Sequence, residues 1–298
     1  MRTHLRLASI AAILAVAASG CAGRSNAYSL GDESATIDEV EAAVAQLAEA
    51  QQVELSNGVA DGETVRAVLG AMIRASAIRE LLAANGDSVT DEDRAVVTRQ
   101  YDAESGFDAL GQDLQDLLIE VNAADVALAR VPAPAADGIE AAYSSNPARL
   151  GAMCLRHVLV ADEGTARKVV AELKGGADVA EVVARWSTEP GAAERAGALE
   201  GPDGACIRLA DYQSQFDAEF VAGALGVTPD APSDPVKTQF GWHVIVARPY
   251  GEVADSLAAL LRQAPGEMLL GGWLVTARVD VASRYGRWNP AQGAIVPL

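Results

Sequence analysis

The sequence is poor in basic residues, in aromatic residues and in cysteine. Of its 298 residues, 23 are Lys or Arg against 41 Asp or Glu, which gives a formal net charge of −18, and only 5% are aromatic. A chain this acidic repels a phosphate backbone, so nucleic acid is not expected as a partner. Three cysteines are too few for a disulfide-dense scaffold, and a hydrophobic fraction of one half favours a folded chain with room for two domains.

Long hydrophobic runs are also absent, except for one near the first residue. Arg2 and Arg6 precede an apolar run at 7–18, which has the length of a signal-peptide core and is shorter than the roughly 20 residues of a spanning helix. The following Ala18-Ser19-Gly20-Cys21 resembles a bacterial lipobox, which implies cleavage before Cys21 and acylation of that cysteine. We therefore expect a signal peptide at 1–20 and a lipoprotein held by its lipid anchor on the extracytoplasmic face of the cell membrane. The alternative is an ordinary secretory signal that is cut near the small residues.

Residues 29–145, which follow a linker predicted at 21–28, have the periodicity of helices. Thr36 and Glu39 form a capping-box pattern, and apolar residues then recur at helical spacing. Further helices are predicted from about Glu63 to Ala84, from Thr90 onward, and from Gly111 to Ala129. We expect an all-α domain in this part of the chain.

Residues 151–250 have a different pattern. Short β-prone runs and helical runs follow in the order β-α-α-β-α-β-β, which is typical of a compact α+β domain. Residues 252–298 are predicted to form a C-terminal helix and strand that pack on the helical domain.

Four segments of the α+β region agree in order and spacing with one family. They are Arg156–Val160, Gly175–Ala180, Phe216–Phe220 and Pro235–Ile245. Together they resemble the parvulins, which are peptidyl-prolyl cis–trans isomerases. The layout of signal, helical segment, parvulin module and C-terminal helix is similar to that of the extracytoplasmic SurA and PrsA chaperones. The resemblance implies an FKBP-like parvulin domain with an antiparallel four-stranded sheet, and a helical domain like the N-terminal domain of SurA that the C-terminal segment completes.

The resemblance also implies a site. His157 and His243 match paired histidines beneath the catalytic cleft, and Thr238 matches a hydroxyl that orients the second ring. Glu189 takes a position where parvulins have Cys or Asp. The residues that match substrate-binding positions are Tyr212, Phe216, Phe240 and Trp242. The same pattern also fits ordinary core packing for Phe216 and Phe220 and a structural hydrogen-bonded pair for the histidines.

The implied reaction explains why the site is sparse. Rotation about an X-Pro bond has a barrier of about 18–20 kcal/mol, but no bond is broken, so acid, base and nucleophile are optional. We therefore expect no cofactor and no metal. The expected partners are unfolded or partly folded secreted polypeptides that contain X-Pro, and the sequence carries no signal for an oligomeric state.

One departure from the parvulin pattern favours a second interpretation. Parvulins usually have a Gly-Gly-Asp-Leu-Gly turn after the catalytic loop, and this chain has Ala196–Gly201 there. Together with Glu189, this departure favours a weak or inactive isomerase that acts as a binding chaperone.

Cys154 and Cys206 remain once Cys21 is acylated. In the parvulin arrangement the strands that carry them are neighbours, which implies a disulfide, in keeping with an oxidising compartment. The alternatives are two free thiols and a zinc site through Cys154 and His157. Residues three apart on a strand point to opposite faces, which disfavours zinc.

Overall fold

The computed structural model describes residues 26–56, 59–102, 106–202, 204–229 and 231–298. The predicted signal peptide and the predicted lipid-attachment residue Cys21 lie outside the described residues. Among the residues described, no helix is both long enough and apolar enough to cross a membrane.

A short sheet opens the described part of the chain. Strands β1 (Asn26–Leu30) and β2 (Glu33–Thr36) form an antiparallel hairpin, and β10 (Val279–Val281) pairs with the other edge of β1. The N-terminal region is therefore not all-α, and Asn26 to Tyr28 belong to a strand instead of the expected linker. The reason is that β1 takes one of its partners from the far end of the chain, where local periodicity gives no sign of the pairing.

Helices make up most of the N-terminal part. They are α1 (Ile37–Glu49), α2 (Gly62–Ala84), α3 (Asp91–Asp102) and α4 (Gln112–Leu128), with a hairpin of β3 (Leu55–Ser56) and β4 (Val59–Ala60) and a 3₁₀ turn at Phe107–Ala109. The predicted capping box is present, since the side chain of Thr36 accepts from the backbone N–H of Glu39 at 3.2 Å and Glu39 Oε2 accepts from the N–H of Thr36 at 2.6 Å. The helices bury an apolar core that contains Leu69, Ile73 and Leu82.

The C-terminal part returns to this core. It consists of α10 (Tyr250–Gln263), α11 (Pro265–Thr276), β10, and a hairpin of β11 (Arg287–Asn289) and β12 (Ala294–Val296). Leu270 of α11 and Ile295 of β12 are buried in the same cluster as Leu69 of α2. The two ends of the described chain thus share one core, and the middle part is inserted between them.

The middle part contains the second sheet. Its elements are α5 (Ala136–Ser145), a 3₁₀ turn at Pro147–Leu150, β5 (Ala152–Met153), β6 (Leu155–Val160), α6 (Glu163–Lys174), α7 (Val179–Trp186), β7 (Ile207–Arg208), α8 (Leu209–Gln215), α9 (Ala218–Ala224), β8 (Val236–Thr238) and β9 (Gly241–Ala247). The antiparallel order is β6-β9-β8.

This sheet has three strands in place of the four expected. The second β-prone run of the predicted order is reduced to β7, which pairs with β5 in a separate two-stranded ladder. The other edge of β6 meets the chain at a single bridge between Arg156 and Ala198. Ala196 and Gly197 have φ of 50° and 70°, and this left-handed backbone interrupts an extended strand.

Candidate functional site

Two neighbouring strands carry the predicted histidines. His157 lies on β6 opposite Ile245, and His243 lies on β9 opposite Leu159. Facing residues and residues two apart share one face of an antiparallel pair, so both imidazoles point to the same side of the sheet. Both histidines are buried, at 5% exposure. Their rings are inclined by only 10°, and the two Nδ1 atoms are 3.0 Å apart.

A continuous chain of hydrogen bonds runs through the two imidazoles. Glu189 Oε2 lies 2.7 Å from Nε2 of His157, and Thr238 Oγ1 lies 2.9 Å from Nε2 of His243. An ionised carboxylate can only accept, so His157 donates from Nε2 and its Nδ1 accepts from the Nδ1–H of His243. Nε2 of His243 then accepts from the hydroxyl of Thr238, whose oxygen accepts from the N–H of Phe240 at 3.2 Å. All four ring nitrogens are used while both imidazoles are neutral.

Burial favours this neutral state. Loss of solvent lowers the pKa of His157 below its ordinary value, although Glu189 acts in the opposite direction. Burial also lowers the pKa of His243 to about 4, and the neighbouring His157 adds to that effect. Near neutral pH the pair therefore carries no charge, as the order of donors and acceptors requires.

Glu189 is held by the segment that leads back to β6. Its Oε1 lies 2.7 Å from Nη2 of Arg195, and Nη1 of the same guanidinium donates to the carbonyl oxygen of Pro190 at 3.4 Å. Two residues after Arg195, the carbonyl oxygen of Gly197 accepts from the backbone N–H of His157 at 2.9 Å. The carboxylate therefore bridges one imidazole and one arginine.

An aromatic wall faces the imidazoles. The ring of Phe220 stands edge-on to His157 and His243, with centroids 5.8 and 5.2 Å away, and Phe216 stacks on Phe220 at 5.4 Å. Between this wall and the sheet lies a cleft of about 640 Å³. Its lining residues are His157, Leu159, Thr188, Glu189, Pro190, Leu199, Gln215, Phe216, Asp217, Phe220, Thr238, Gln239, Phe240 and His243. The cleft combines an apolar wall with polar groups on the other side.

The polar groups of the cleft are hydrogen-bonded to one another. Within the ranges that the structure describes, no cluster of three or more His, Cys, Asp or Glu side chains is arranged to hold a metal ion. All four ring nitrogens have hydrogen-bond partners, which hold the two imidazoles in place at the floor of the cleft. Such a cleft can hold a small apolar ring beside a peptide group.

Comparison with known families assigns this part of the chain. Residues 161–248 match the model described as "Rotamase: PPIC-type PPIASE domain", where PPIase stands for peptidyl-prolyl isomerase. This segment is a PPIC-type PPIase domain. The match begins directly after β6, so His157 lies outside it, and β-sheet pairing brings His157 to the matched residue His243.

Curated relatives match part of this chain. The chain is 35% identical over 109 residues to the foldase protein PrsA of Clostridium acetobutylicum, with 37% of this chain and 29% of the relative covered. It is 29% identical over 127 residues to the foldase protein PrsA 3 of Bacillus anthracis, with 41% and 42% covered. The chain thus spans less than half the length of these relatives.

Two solved structures are also similar to this chain. PrsA from Bacillus subtilis has a TM-score of 0.30 and 20% identity, covering 83% of this chain and 91% of that chain. NmPin, the parvulin of Nitrosopumilus maritimus, has a TM-score of 0.28 and 21% identity, covering 33% and 97%.

The PPIC-type domain brings most of the predicted site residues together. Those that line the cleft are His157, Glu189, Phe216, Thr238, Phe240 and His243. Phe240 lies at the rim and is 71% exposed, so its ring is free to contact a bound chain.

Tyr212 and Trp242, which were expected to contact substrate, do not line the cleft. Tyr212 is fully buried, with its ring 4.7 Å from that of Phe216, so it supports the aromatic wall from behind. Trp242 precedes His243 on β9, and successive strand residues point to opposite faces. Its ring lies on the far side of the sheet, with Nζ of Lys237 at 5.9 Å from the ring centroid.

Two residues of the site were not among the predicted site residues, although Phe220 ended one of the four matching segments. Phe220 contacts both imidazoles, and its spacing of four from Phe216 was a signal for a shared face. Arg195 gave no local signal, since its role depends on the turn through Ala196 and Gly197.

Cys154, which directly precedes β6, and Cys206 form a disulfide, as the sequence predicted. The alternative of two free thiols is wrong. The bond also removes Cys154 as a zinc ligand, because a metal requires the thiolate. Both sulfurs lie in a buried cluster with Tyr143 of α5 and Val253 of α10.

Proposed function

We propose that this chain is an extracytoplasmic peptidyl-prolyl cis–trans isomerase that helps secreted or envelope proteins to fold. One observation carries the proposal: a cleft in a PPIC-type domain whose aromatic wall faces a neutral, fully hydrogen-bonded imidazole pair. The relatives named PrsA are described as foldases, which supports the same function.

The geometry suits rotation without covalent chemistry. At the twisted transition state the X-Pro bond loses its amide resonance, so a site lowers the barrier by binding the twisted form more tightly than either planar form. Phe216 and Phe220 hold the proline ring, and the polar groups on the opposite side bind the peptide. Each tenfold acceleration needs only about 1.36 kcal/mol of such differential binding.

A protease-coupled assay on a short proline peptide tests the activity. Phe220→Ala is expected to reduce kcat/KM by about tenfold or more, because it removes the ring that faces both imidazoles. Lys168→Ala, at an exposed position of α6, is the control and is expected to match the parent chain. Equal turnover in the Phe220→Ala, His157→Ala and parent proteins would contradict the proposal.

The substrates of this proposal are unfolded or partly folded polypeptides that contain X-Pro. The helices of the N-terminal part, together with α10 and α11, provide the holding surface of a chaperone. Suppression of aggregation of a denatured client by the full chain is the measurement. A chain that isomerises the peptide but leaves client aggregation unchanged would limit the function to isomerisation.

A second function, a binding chaperone with weak or no isomerase activity, is favoured by one observation. Glu189 stands where parvulins carry Cys or Asp, and it is tied to Arg195 at the edge of the cleft. Absence of peptide turnover with full suppression of aggregation would decide for this alternative.

The proposed location is the extracytoplasmic face of the cell membrane, with a lipid on Cys21. The lipobox-like sequence before Cys21 supports this part of the proposal. Labelling of cells with a fatty-acid analogue should mark the parent protein, and Cys21→Ala should abolish the label. Equal labelling of both proteins would contradict lipidation at this residue.

A further inference from the structure

The segment that carries Glu189 contains an arginine with no assigned role. Arg195 places a guanidinium nitrogen 2.7 Å from Oε1 of Glu189, while Oε2 of the same carboxylate lies 2.7 Å from Nε2 of His157. The two carboxylate oxygens therefore have different partners. A carboxylate fixed at one oxygen by a cation has less freedom to turn away from the partner at its other oxygen.

The position of Glu189 decides which nitrogens of the two imidazoles carry protons. Two imidazoles joined Nδ1 to Nδ1 have two possible proton orders, because each ring can donate from either nitrogen. A carboxylate at Nε2 of His157 permits only one of them, with His157 protonated at Nε2 and His243 protonated at Nδ1. If Glu189 turns into solvent, nothing at that end selects between the two orders.

A left-handed turn of the backbone brings Arg195 close to Glu189. Arg195 is followed by Ala196 and Gly197, both in left-handed conformation, and the carbonyl oxygen of Gly197 accepts from the N–H of His157. This turn returns the chain to β6 and brings the arginine back toward Glu189. The groups that face His157 are thus Glu189, Arg195 and His243.

We propose that Arg195 is a positioning residue of the isomerase cleft, which pairs with Glu189 and thereby fixes a single proton order through His157 and His243. The inference rests on the proposed function for its effect on turnover, but the proton order itself is a property of the folded chain. Arg195 does not contact the substrate in this role. It acts through Glu189 on the side of the cleft opposite the aromatic wall.

The test uses the full chain with Arg195→Ala, Arg195→Lys and Arg167→Ala. Nitrogen-15 NMR of the imidazoles distinguishes protonated from unprotonated ring nitrogens, and the chain has only three histidines. The parent is expected to show His157 protonated at Nε2 and His243 at Nδ1. Arg195→Ala is expected to give averaged or mixed signals at these rings and to lower kcat/KM by about tenfold, as misplaced catalytic groups do.

The two other variants separate positioning from a general effect. Nη2 of Arg195 lies 2.7 Å from Oε1, and an ammonium can make the same contact, so Arg195→Lys is expected to restore both the parent spectrum and the turnover. Arg167→Ala removes an exposed arginine that pairs with Glu163 on α6, and it is expected to change neither readout. A thermal midpoint for each variant confirms that the fold is retained.

The outcomes are distinct. Parent-like imidazole signals in Arg195→Ala would overturn the inference, whatever its turnover, and so would an Arg195→Lys spectrum that matches that of Arg195→Ala. If the parent chain has no isomerase activity, the proposed function fails, and the spectra still decide the role of Arg195.

Discussion

At the residue scale, the candidate site contains two buried histidines whose pKa values favour the uncharged form near neutral pH. Their pairing requires each ring to donate once and accept once, and burial lowers the pKa of both. A proton added to either imidazole turns its accepting nitrogen into a donor and so breaks one hydrogen bond of the series. The site is therefore sensitive to acid through the same groups that shape it.

We predict that the free energy of unfolding decreases as the pH falls from about 6.5, the ordinary histidine pKa, toward 4. In this window the unfolded chain binds more protons at the two histidines than the folded chain does, since burial lowers the pKa of His157 and lowers that of His243 to about 4. Urea unfolding at a series of pH values measures the slope.

The double variant His157→Gln/His243→Gln provides the comparison for this slope. It retains polar side chains that do not titrate, so its stability should depend less steeply on pH over the same window. Identical slopes in the two proteins would show that the histidines are not responsible.

We predict that Gly197→Ala destabilises the fold by about 3 kcal/mol or more. Its φ is +70°, and an added Cβ would lie 2.4 Å from the carbonyl oxygen of His157. Gly176→Ala is the matched control, because its φ is +85° but no atom lies within 4 Å of the added Cβ. The control should cost only the left-handed strain of about 1–2 kcal/mol. An equal loss in the free energy of unfolding for the two variants, measured by chemical denaturation, would refute the close approach of Gly197 to β6.

At the scale of elements, α11 joins the two parts of the molecule by close backbone contact. Cβ atoms added at Gly266 and Gly272 would lie 2.2 Å from the carbonyl oxygen of Leu128 and 2.0 Å from that of Arg149. The first contact is with the end of α4, and the second is with the 3₁₀ turn that precedes β5. Small residues are therefore needed where this helix crosses both neighbours.

The neighbouring glycines of α11 allow a direct test. Gly272→Ala should destabilise the protein by about 1–3 kcal/mol through overpacking against Arg149. Gly271→Ala, one residue earlier, has open space around the added Cβ and should stabilise the helix by about 0.5–1 kcal/mol. Thermal or urea unfolding of both variants gives the two signs. A loss of stability for Gly271→Ala would contradict the prediction that Gly271 lies on an open face of α11.

At the scale of the whole molecule, the disulfide links the sheet region to the helices around it. Cys154 directly precedes β6, and its buried cluster includes residues of α5, α10 and α11, such as Ile139, Leu257 and Met268. The bridge therefore stabilises the region from which the histidine strand starts.

We predict that the double variant Cys154→Ala/Cys206→Ala loses about 4 kcal/mol of stability, because the bond closes a loop with a sequence separation of 52. The lower midpoint should appear in urea unfolding without reductant, and mass spectrometry of the parent should show no free thiol at these positions. A parent chain that unfolds at the same urea concentration with and without reductant would contradict this value.

Much of the site was accessible from the sequence because its residues lie in short, ordered segments. His157, Thr238 and His243 belong to strand motifs, and Phe216 lies between α8 and α9. The face of the sheet to which a strand residue points was harder to assign, as Trp242 shows. Alternation places neighbouring residues on opposite faces, but the pairing with the next strand decides which face lines the cleft. The depth of Tyr212 behind Phe216 also depends on how the helices pack on the sheet.

The amino-acid sequence by itself determined the local elements of this protein: the capping box that starts α1, the helices that follow it, and the four ordered segments of the α+β region. These depend on neighbours a few residues apart, which any conformation of the chain keeps close. Tertiary structure alone decided the pairing of β1 with β10, the loss of the fourth strand, and the contact of Arg195 with Glu189. Each of these depends on the position of a backbone segment that is distant in sequence or in a left-handed conformation. That position is fixed only when the core is packed.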